Sequence, residues 1–377
     1  MNKPKKGVGG GRLLITGSTG FLGGCLVAQL LQTARWDGVL LLVRAATPEA
    51  GVGRVAAAMQ RFEVPTHLIA RILPKQIVCG DLTDMVSFGS DPRLEEVTHV
   101  VNCAAVTSFS RHPRIWETNV EGTLAFAHRM RRLPHLRRFV QVGTALICGA
   151  TPPAVVTEDN YPSERVKHFV QYTETKAEAE LLLRQTLCDF PLVVVRPTII
   201  VGHSELGCKP SYSIFWVFRL WEALRRLPFS IDCVIDVVPV DFVARSILQL
   251  LLADSLRHST YHLSAGPAAS SSFREIGHAF ARAVGKTDGD AYETVSFHDV
   301  VAMQDRFDAI FGRCNKRFML KAMRLYESFA SLNVTFSNQR LLDEGIAPPP
   351  RFTEYLDVCI RTGCDQSIPE QMLTDFA

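Results

Sequence analysis

The sequence holds a phenol and an amine four residues apart, in Tyr172-Thr173-Glu174-Thr175-Lys176. On a helix that spacing puts both side chains on one face. The pair is a proton donor beside a cation. A free tyrosine, with a pKa of about 10, exchanges protons poorly at neutral pH, and a nearby ammonium favours the phenolate and lowers that value. Such a pair also arises by chance on surface helices, so its weight rests on what accompanies it. Thr144 ends an apolar run in Val142-Gly143-Thr144-Ala145, where a hydroxyl can hold a substrate carbonyl oxygen while Tyr172 protonates it. Taken alone, Thr144 reads equally well as a turn cap. Asn119, in Asn119-Val120-Glu121-Gly122-Thr123, falls on a helix flanking these groups, suited to structuring that helix or to relaying protons through water.

A second constellation precedes this one. Thr16-Gly17-Ser18-Thr19-Gly20-Phe21-Leu22-Gly23 follows a short apolar run and opens an apolar helical pattern. A strand turning sharply into a helix needs Gly17 for the turn, Gly20 for close approach of a pyrophosphate and Gly23 for helix–strand packing. The helix N-terminus then offers free N–H groups to phosphates. The next strand ends in Val43-Arg44, with no carboxylate at its tip. An acidic residue there binds the ribose 2′-hydroxyl of NAD, whereas an arginine accommodates the 2′-phosphate of NADP. NADPH is therefore the expected cofactor, with Arg54 as a possible second phosphate ligand or an ordinary solvated arginine. Asp81, before Leu82, is placed to bond an adenine amino group, and the small residues of Asn102-Cys103-Ala104-Ala105 let a cofactor lie against the strand ends. Lys176 would then bond the nicotinamide ribose and orient the ring.

These residues need elements to hold them. Apolar runs at 12–16, 39–43, 76–79, 98–103, 138–143 and 192–195 read as strands, with helices at 21–34, 117–132 and 172–188 between them. Strands alternating with helices imply β-α-β units and a doubly wound parallel sheet. The rhythm weakens after Gly202. Residues 237–252 read as a strand end entering a helix, 261–263 as a strand, 273–284 as a helix and 298–332 as largely helical. The expected plan is a disordered leader over 1–11, a Rossmann-like nucleotide-binding domain over 12–202 to which 237–263 returns, and a smaller, mostly helical substrate domain from 203–236 and 264–377.

The bulk numbers bound the class. With 377 residues, 47% hydrophobic, 21% charged and a formal net charge of +3, the chain can bury a large core and shows no global basicity of a nucleic-acid binder. Ten cysteines without a Cys-x-x-Cys pair fit free thiols in a reducing cytoplasm better than disulfides or a zinc site, and no metal is expected. No apolar run is long enough to span a bilayer, and no apolar signal region follows the basic N-terminus. Oligomeric state stays open.

TGSTGFLG, Thr144, YTETK and NVEGT together resemble the extended short-chain dehydrogenase/reductase superfamily over roughly residues 12–265. LLVRA at 41–45, Arg196-Pro197-Thr198 running on to Gly202-His203-Ser204 and Gly207, and Asp236-Val237-Val238-Pro239-Val240-Asp241 resemble its thioester-reductase and fatty acyl-CoA reductase branch. LNVTFSNQRLLDEGIAPPPRFTEYLDVCI is loosely similar to the end of those reductases. The resemblance implies reduction of an acyl thioester, on coenzyme A or on a carrier protein's phosphopantetheine, to an aldehyde and in some members an alcohol. It implies that Thr144 and Tyr172 hold and protonate the oxyanion, that Lys176 positions the cofactor, and that Pro197 and Thr198 contact its nicotinamide end. Gly143 stands where the family more often has Ser, and His203 where Asp is usual.

At 211–227, Phe215, Trp216, Phe218 and Trp221 alternate with Arg219, Arg225 and Arg226. This segment reads as a helix lining an acyl channel, with arginines for a phosphopantetheine phosphate or a carrier's acidic surface. It reads also as a membrane-surface helix or as an ordinary core helix. Three other functions compete. A sugar-nucleotide enzyme would carry an acidic residue where Arg44 stands, and a dehydratase would add carboxylates where Ala145 and Leu146 follow Thr144. An aldehyde or ketone reductase, steroid-type relatives included, stays open. A non-catalytic NADP sensor would commonly have lost the Tyr and Lys.

Overall fold

The computed structural model describes residues 11–109, 112–161, 166–285 and 292–376; residues 1–10 of the expected leader lie outside the described residues. Seven strands form one parallel sheet: β1 (Arg12–Thr16), β2 (Val39–Val43), β3 (Ile77–Cys79), β4 (Val97–Asn102), β5 (Arg138–Val142), β6 (Leu192–Pro197) and β7 (Thr260–Leu263), in the order β7-β6-β5-β4-β1-β2-β3. The chain leaves β1 toward β2 and β3, then returns to add β4 on its other side. That reversal opens a crevice at the carboxyl ends of β1 and β4, where a doubly wound sheet binds its ligands.

The longer helices are α1 (Phe21–Leu31), α2 (Pro48–Arg61), α3 (Thr123–Arg131), α4 (Gln171–Thr186), α5 (Phe215–Leu224), α6 (Val240–Leu252), α7 (Phe273–Ala283), α8 (Lys316–Ala330), α9 (Phe352–Thr362) and α10 (Ile368–Asp375). Strand side chains alternate between two faces. Leu13, Ile15, Leu41 and Val43 enter one apolar layer with α1, α2 and α6, while Leu14, Leu40 and Leu42 enter the other with α3 and the end of α4. Covered on both faces, the middle of β1 and all of β2 are apolar without alternation. A separate core gathers α5 and α7 to α10 around Trp216, Phe218, Phe307, Met319 and Leu356. The helix read over 117–132 begins as a π-helical stretch, Glu117–Gly122, before α3. Predominantly helical 298–332 is broken into short pieces before α8. Among the described residues no helix is long and apolar enough to cross a membrane.

One buried ion pair fastens this scaffold. Arg196, on β6, is 0% exposed and Glu180, on α4, 1%. The guanidinium donates from Nη2 to Oε1 at 2.6 Å and from Nε to Oε2 at 3.0 Å. Its Nη1 donates to the carbonyls of Glu158 and Asn160. Arg184 adds a bond from the rim to the same carboxylate. Removing one partner leaves a buried charge unpaired, whereas the rim arginine stays solvated. We therefore expect Glu180→Ala to lower unfolding free energy by about 3–5 kcal/mol and Arg184→Ala by about 1 kcal/mol or less, read by urea denaturation.

Candidate active site and cofactor cleft

At the switch point the glycine turn meets β4 almost without clearance. Gly17 has φ +67°, and a Cβ there would lie 2.8 Å from the Ala104 nitrogen. A Cβ on Gly23 would lie 2.2 Å from the Gly17 carbonyl oxygen. Both positions exclude a side chain on grounds of backbone contact. Gly20 caps α1 with no side-chain hydrogen bond, so the first helical N–H groups face the crevice. Ser18 is buried and its hydroxyl has no partner, although it lines the cleft. An orphaned hydroxyl beside open helix N–H groups fits a pyrophosphate.

The cleft encloses about 1120 Å³ and runs from Arg44, Arg54 and Asp81 past the glycine turn to Thr144, Tyr172 and Lys176. Thr19, Phe21, Leu22, Leu82, Ala104 and Ala105 all line it, as do Pro197 and Thr198. Arg44 is mostly exposed and sits 3.9 Å from the Asp81 carboxylate, too far for a direct hydrogen bond. Asp81 spends one oxygen on the Thr83 amide and hydroxyl, both at 3.0 Å. Arg54 donates to the Arg44 carbonyl. Arg61, overlooked in the sequence, lines the same end and donates to the Thr19 carbonyl at 2.8 Å. Its signal was present: it lies two turns after Arg54 on one face of α2.

Asn102 departs from its expected place beside the cofactor. It is fully buried behind the strand ends, accepting from the Thr16 hydroxyl at 2.5 Å and donating to Gln141 at 2.9 Å. Thr16 in turn accepts from the Ala104 amide at 3.1 Å. The ladder joins β1, β4 and β5 just below the crevice. Asn119 is buried too. Its carboxamide accepts from the Val106 amide at 2.8 Å and donates to the Val106 carbonyl and the Thr175 hydroxyl. It therefore ties the segment after β4 to α4.

Thr144 stands both at a turn and at the cleft. Its hydroxyl caps a single turn by accepting from the Leu146 amide at 3.3 Å, and it also lines the cleft. The bond it donates to the Pro197 carbonyl is long, 3.5 Å. Tyr172 and Lys176 share one face of α4, and Lys176 Nζ donates to the Val142 carbonyl at 2.8 Å. Burial pushes the Lys176 ammonium down to about 8. Burial pushes the Tyr172 phenol up to about 12. The expected lowering of the phenol is thus reversed, because burial disfavours the phenolate. A phenol held in its acid form suits proton donation.

Beyond Tyr172 the wall is aromatic. Phe109 packs on Tyr172 at 6.1 Å and on Tyr326 and Phe329 of α8 at 5.7 Å each. Val217, Phe218 and Trp221 of α5 form the wall farther on. The arginines near α5 are already engaged within the protein. Arg219 donates to the carbonyls of Gly363 and Gln366, Arg225 pairs with Glu222, and Arg226 with Glu293. With Phe215, Trp216, Leu220 and Leu224 buried, α5 also has no apolar face left for a membrane. Among the described residues no group of His, Cys, Asp and Glu is placed to hold a metal, and all ten cysteines are free thiols.

A parallel sheet of this order, a glycine turn at its switch point and a Thr-Tyr-Lys set define an extended short-chain dehydrogenase/reductase, an oxidoreductase that takes a nicotinamide dinucleotide. The chain belongs to the male sterility protein family of NAD-binding domains, whose model matches residues 15–247. It is 29% identical over 259 residues to aldehyde reductase lnaA of Aspergillus flavus, covering 64% of this chain and 24% of that protein. It is 25% identical over 280 residues to the putative fatty acyl-CoA reductase CG8303 of Drosophila melanogaster, covering 63% of this chain and 51% of the fly protein. The chain thus spans about a quarter and about half of these relatives. The fold matches the terminal R domain of the myxalamid PKS-NRPS pathway with a TM-score of 0.75 at 20% identity, covering 94% of this chain and 90% of that one.

The shifted amine gives a test independent of turnover. Between about 8 and its ordinary 10.5, Lys176 holds fewer protons folded than unfolded. Folding stability contributed by this group therefore rises with pH across that window and is lost as pH falls through about 8. In parallel urea titrations across the window, wild type should gain stability relative to Lys176→Met; equal slopes would contradict the buried ammonium.

Proposed function

We propose that the chain reduces an acyl thioester, on coenzyme A or on the phosphopantetheine of a carrier protein, to the aldehyde with NADPH. The observation carrying this reading is the continuity of one cleft from the arginine-rich end, past Thr144, Tyr172 and Lys176, into an apolar chamber. The relatives named aldehyde reductase and fatty acyl-CoA reductase support the same chemistry. Arg44 and Arg54, with no carboxylate on the β2 tip, support NADPH over NADH.

When bound, the dinucleotide supplies the hydride for the substrate carbonyl carbon. The protein's task is to orient that carbonyl and neutralise its oxygen. The Tyr172 hydroxyl gives its proton to the oxygen as negative charge develops, and Thr144 donates a second hydrogen bond. Thr144 reaches that role by giving up its weak bond to Pro197. Lys176, held on the Val142 carbonyl, fixes positive charge beside the phenol and is placed to bond a ribose. The resulting hemithioacetal collapses with loss of the thiol, releasing the aldehyde. The same groups serve a second reduction to the alcohol when the aldehyde stays bound.

The test is NADPH oxidation by the purified chain with acyl-CoAs, phosphopantetheine-loaded carrier and the matching aldehydes, NADH in parallel and products identified. Thioester turnover with NADPH is expected, and reduction of aldehydes alone would overturn the thioester assignment. Tyr172→Phe should lower kcat by about 10²–10⁴-fold while still binding NADPH. Arg44→Ala should cut the preference for NADPH over NADH by about tenfold or more, since it removes a charged hydrogen bond to the 2′-phosphate.

A further inference from the structure

The chamber beyond the catalytic set holds a buried donor that its apolar neighbours leave unpaired. Trp221 stands in the wall with Val217, Phe218, Ile235 and Phe273. It is 2% exposed, its ring lies edge-on to Phe229 at 5.5 Å, and its indole N–H meets no acceptor. A buried donor without a partner carries its full desolvation penalty, and native interiors keep few of them. The indole is also held in place. Arg219, two residues earlier, anchors α5 through the Gly363 and Gln366 carbonyls at 2.9 and 2.8 Å. Val217 and Phe218, one turn back on α5, present the same side to the chamber.

We propose that Trp221 reads a hydrogen-bond acceptor in the substrate's acyl chain. On the reading that the chain is a thioester reductase, the preferred acyl group carries a carbonyl oxygen at one fixed depth from the thioester carbon. Apolar walls measure bulk and discriminate weakly between positions along a chain. A single buried donor discriminates strongly, because a plain hydrocarbon leaves it unpaired. The N–H thus sets the register of the acyl chain, and with it the placement of the thioester carbon against Tyr172.

The experiment walks an oxo group carbon by carbon along a medium-chain acyl thioester and compares kcat/KM with the plain chain, for wild type and Trp221→Phe. Phenylalanine keeps an aromatic ring but removes the donor and some bulk, so the dependence on oxo position is read rather than the overall rate, and thermal unfolding verifies that the variant is folded. Wild type should show a peak at one position, about tenfold or more above the plain chain, and the variant should flatten it. A flat wild-type profile, as a resident water on the indole would give, overturns the proposal; so does an equal peak in the variant. If thioesters are inert and aldehydes are reduced, the thioester reading fails alone, and the corresponding oxo-aldehydes run the same comparison. If nothing turns over, the Trp221 indole ¹⁵N–H resonance, assigned through the variant, is titrated with oxo and plain acyl-CoA. A shift with the oxo chain only supports the assignment, and no difference overturns it.

Discussion

The bidentate contact between Arg196 and Glu180 is the constraint on which the site depends. Glu180 lies one turn beyond Lys176 and two beyond Tyr172 on α4, so it fixes the rotation of the helix that carries both. Arg196 immediately precedes Pro197 and Thr198, which border the cleft. One ion pair therefore sets the distance between the helix that carries Tyr172 and the strand end that borders the cleft. With both groups almost free of solvent, a loosened geometry would leave charge unpaired, and the position is held more sharply than apolar packing would hold it. The pair also grips the carbonyls of Glu158 and Asn160, which tethers the loop leading from the Thr144 turn.

A second tier of polar contacts does for the backbone what this pair does for α4. Asn119 occupies both polar groups of Val106, and Thr16 with Asn102 and Gln141 crosses three strands beneath the crevice. These carboxamides are buried, so each must be satisfied, and satisfying them leaves one arrangement of the strand ends. The π-helical stretch around Asn119 follows from this demand, since a local widening of the helix turns the carboxamide toward Val106 while α3 continues against the sheet.

The strands and the catalytic spacing were legible in the sequence because they depend on local pattern. Leu13 to Ile15 and Val39 to Val43 are apolar without interruption, and a sheet covered on both faces demands that; likewise Tyr172 and Lys176 need only helical geometry to meet. Contacts formed between distant segments were not legible. Asn102 stands at a strand tip, and nothing local says that its amide turns inward to Thr16 and Gln141. Arg219 and Arg226 look like part of an exposed basic stripe until the carbonyls of Gly363 and Gln366 and the Glu293 carboxylate are brought to them. Tyr326 and Phe329 lie about 150 residues after Tyr172, yet they supply the wall against Phe109, and only the tertiary fold could reveal it. The direction of the Tyr172 shift failed for the same reason: burial is a property of neighbours, and spacing reports only the ammonium.

That aromatic wall links the two cores of the molecule. Reduction of a carbonyl by hydride needs a donor whose proton is kept from water and a site from which water is excluded, because a wet oxyanion gains little from one fixed hydroxyl. The sheet can supply the hydroxyls, since they sit at strand ends and on α4, but it has no side chains above them. Phe109 comes from the segment held by Asn119, and Tyr326 and Phe329 come from α8, which belongs to the second core. Tyr326 also packs edge-on against Trp216 of α5 at 5.1 Å, so the element that dries the phenol is braced by the helix that walls the chamber. The environment that raises the phenol and the shape of the chamber beyond it are thus consequences of one packing arrangement. A change in α8 or α5 that reshapes the chamber will alter proton donation as well.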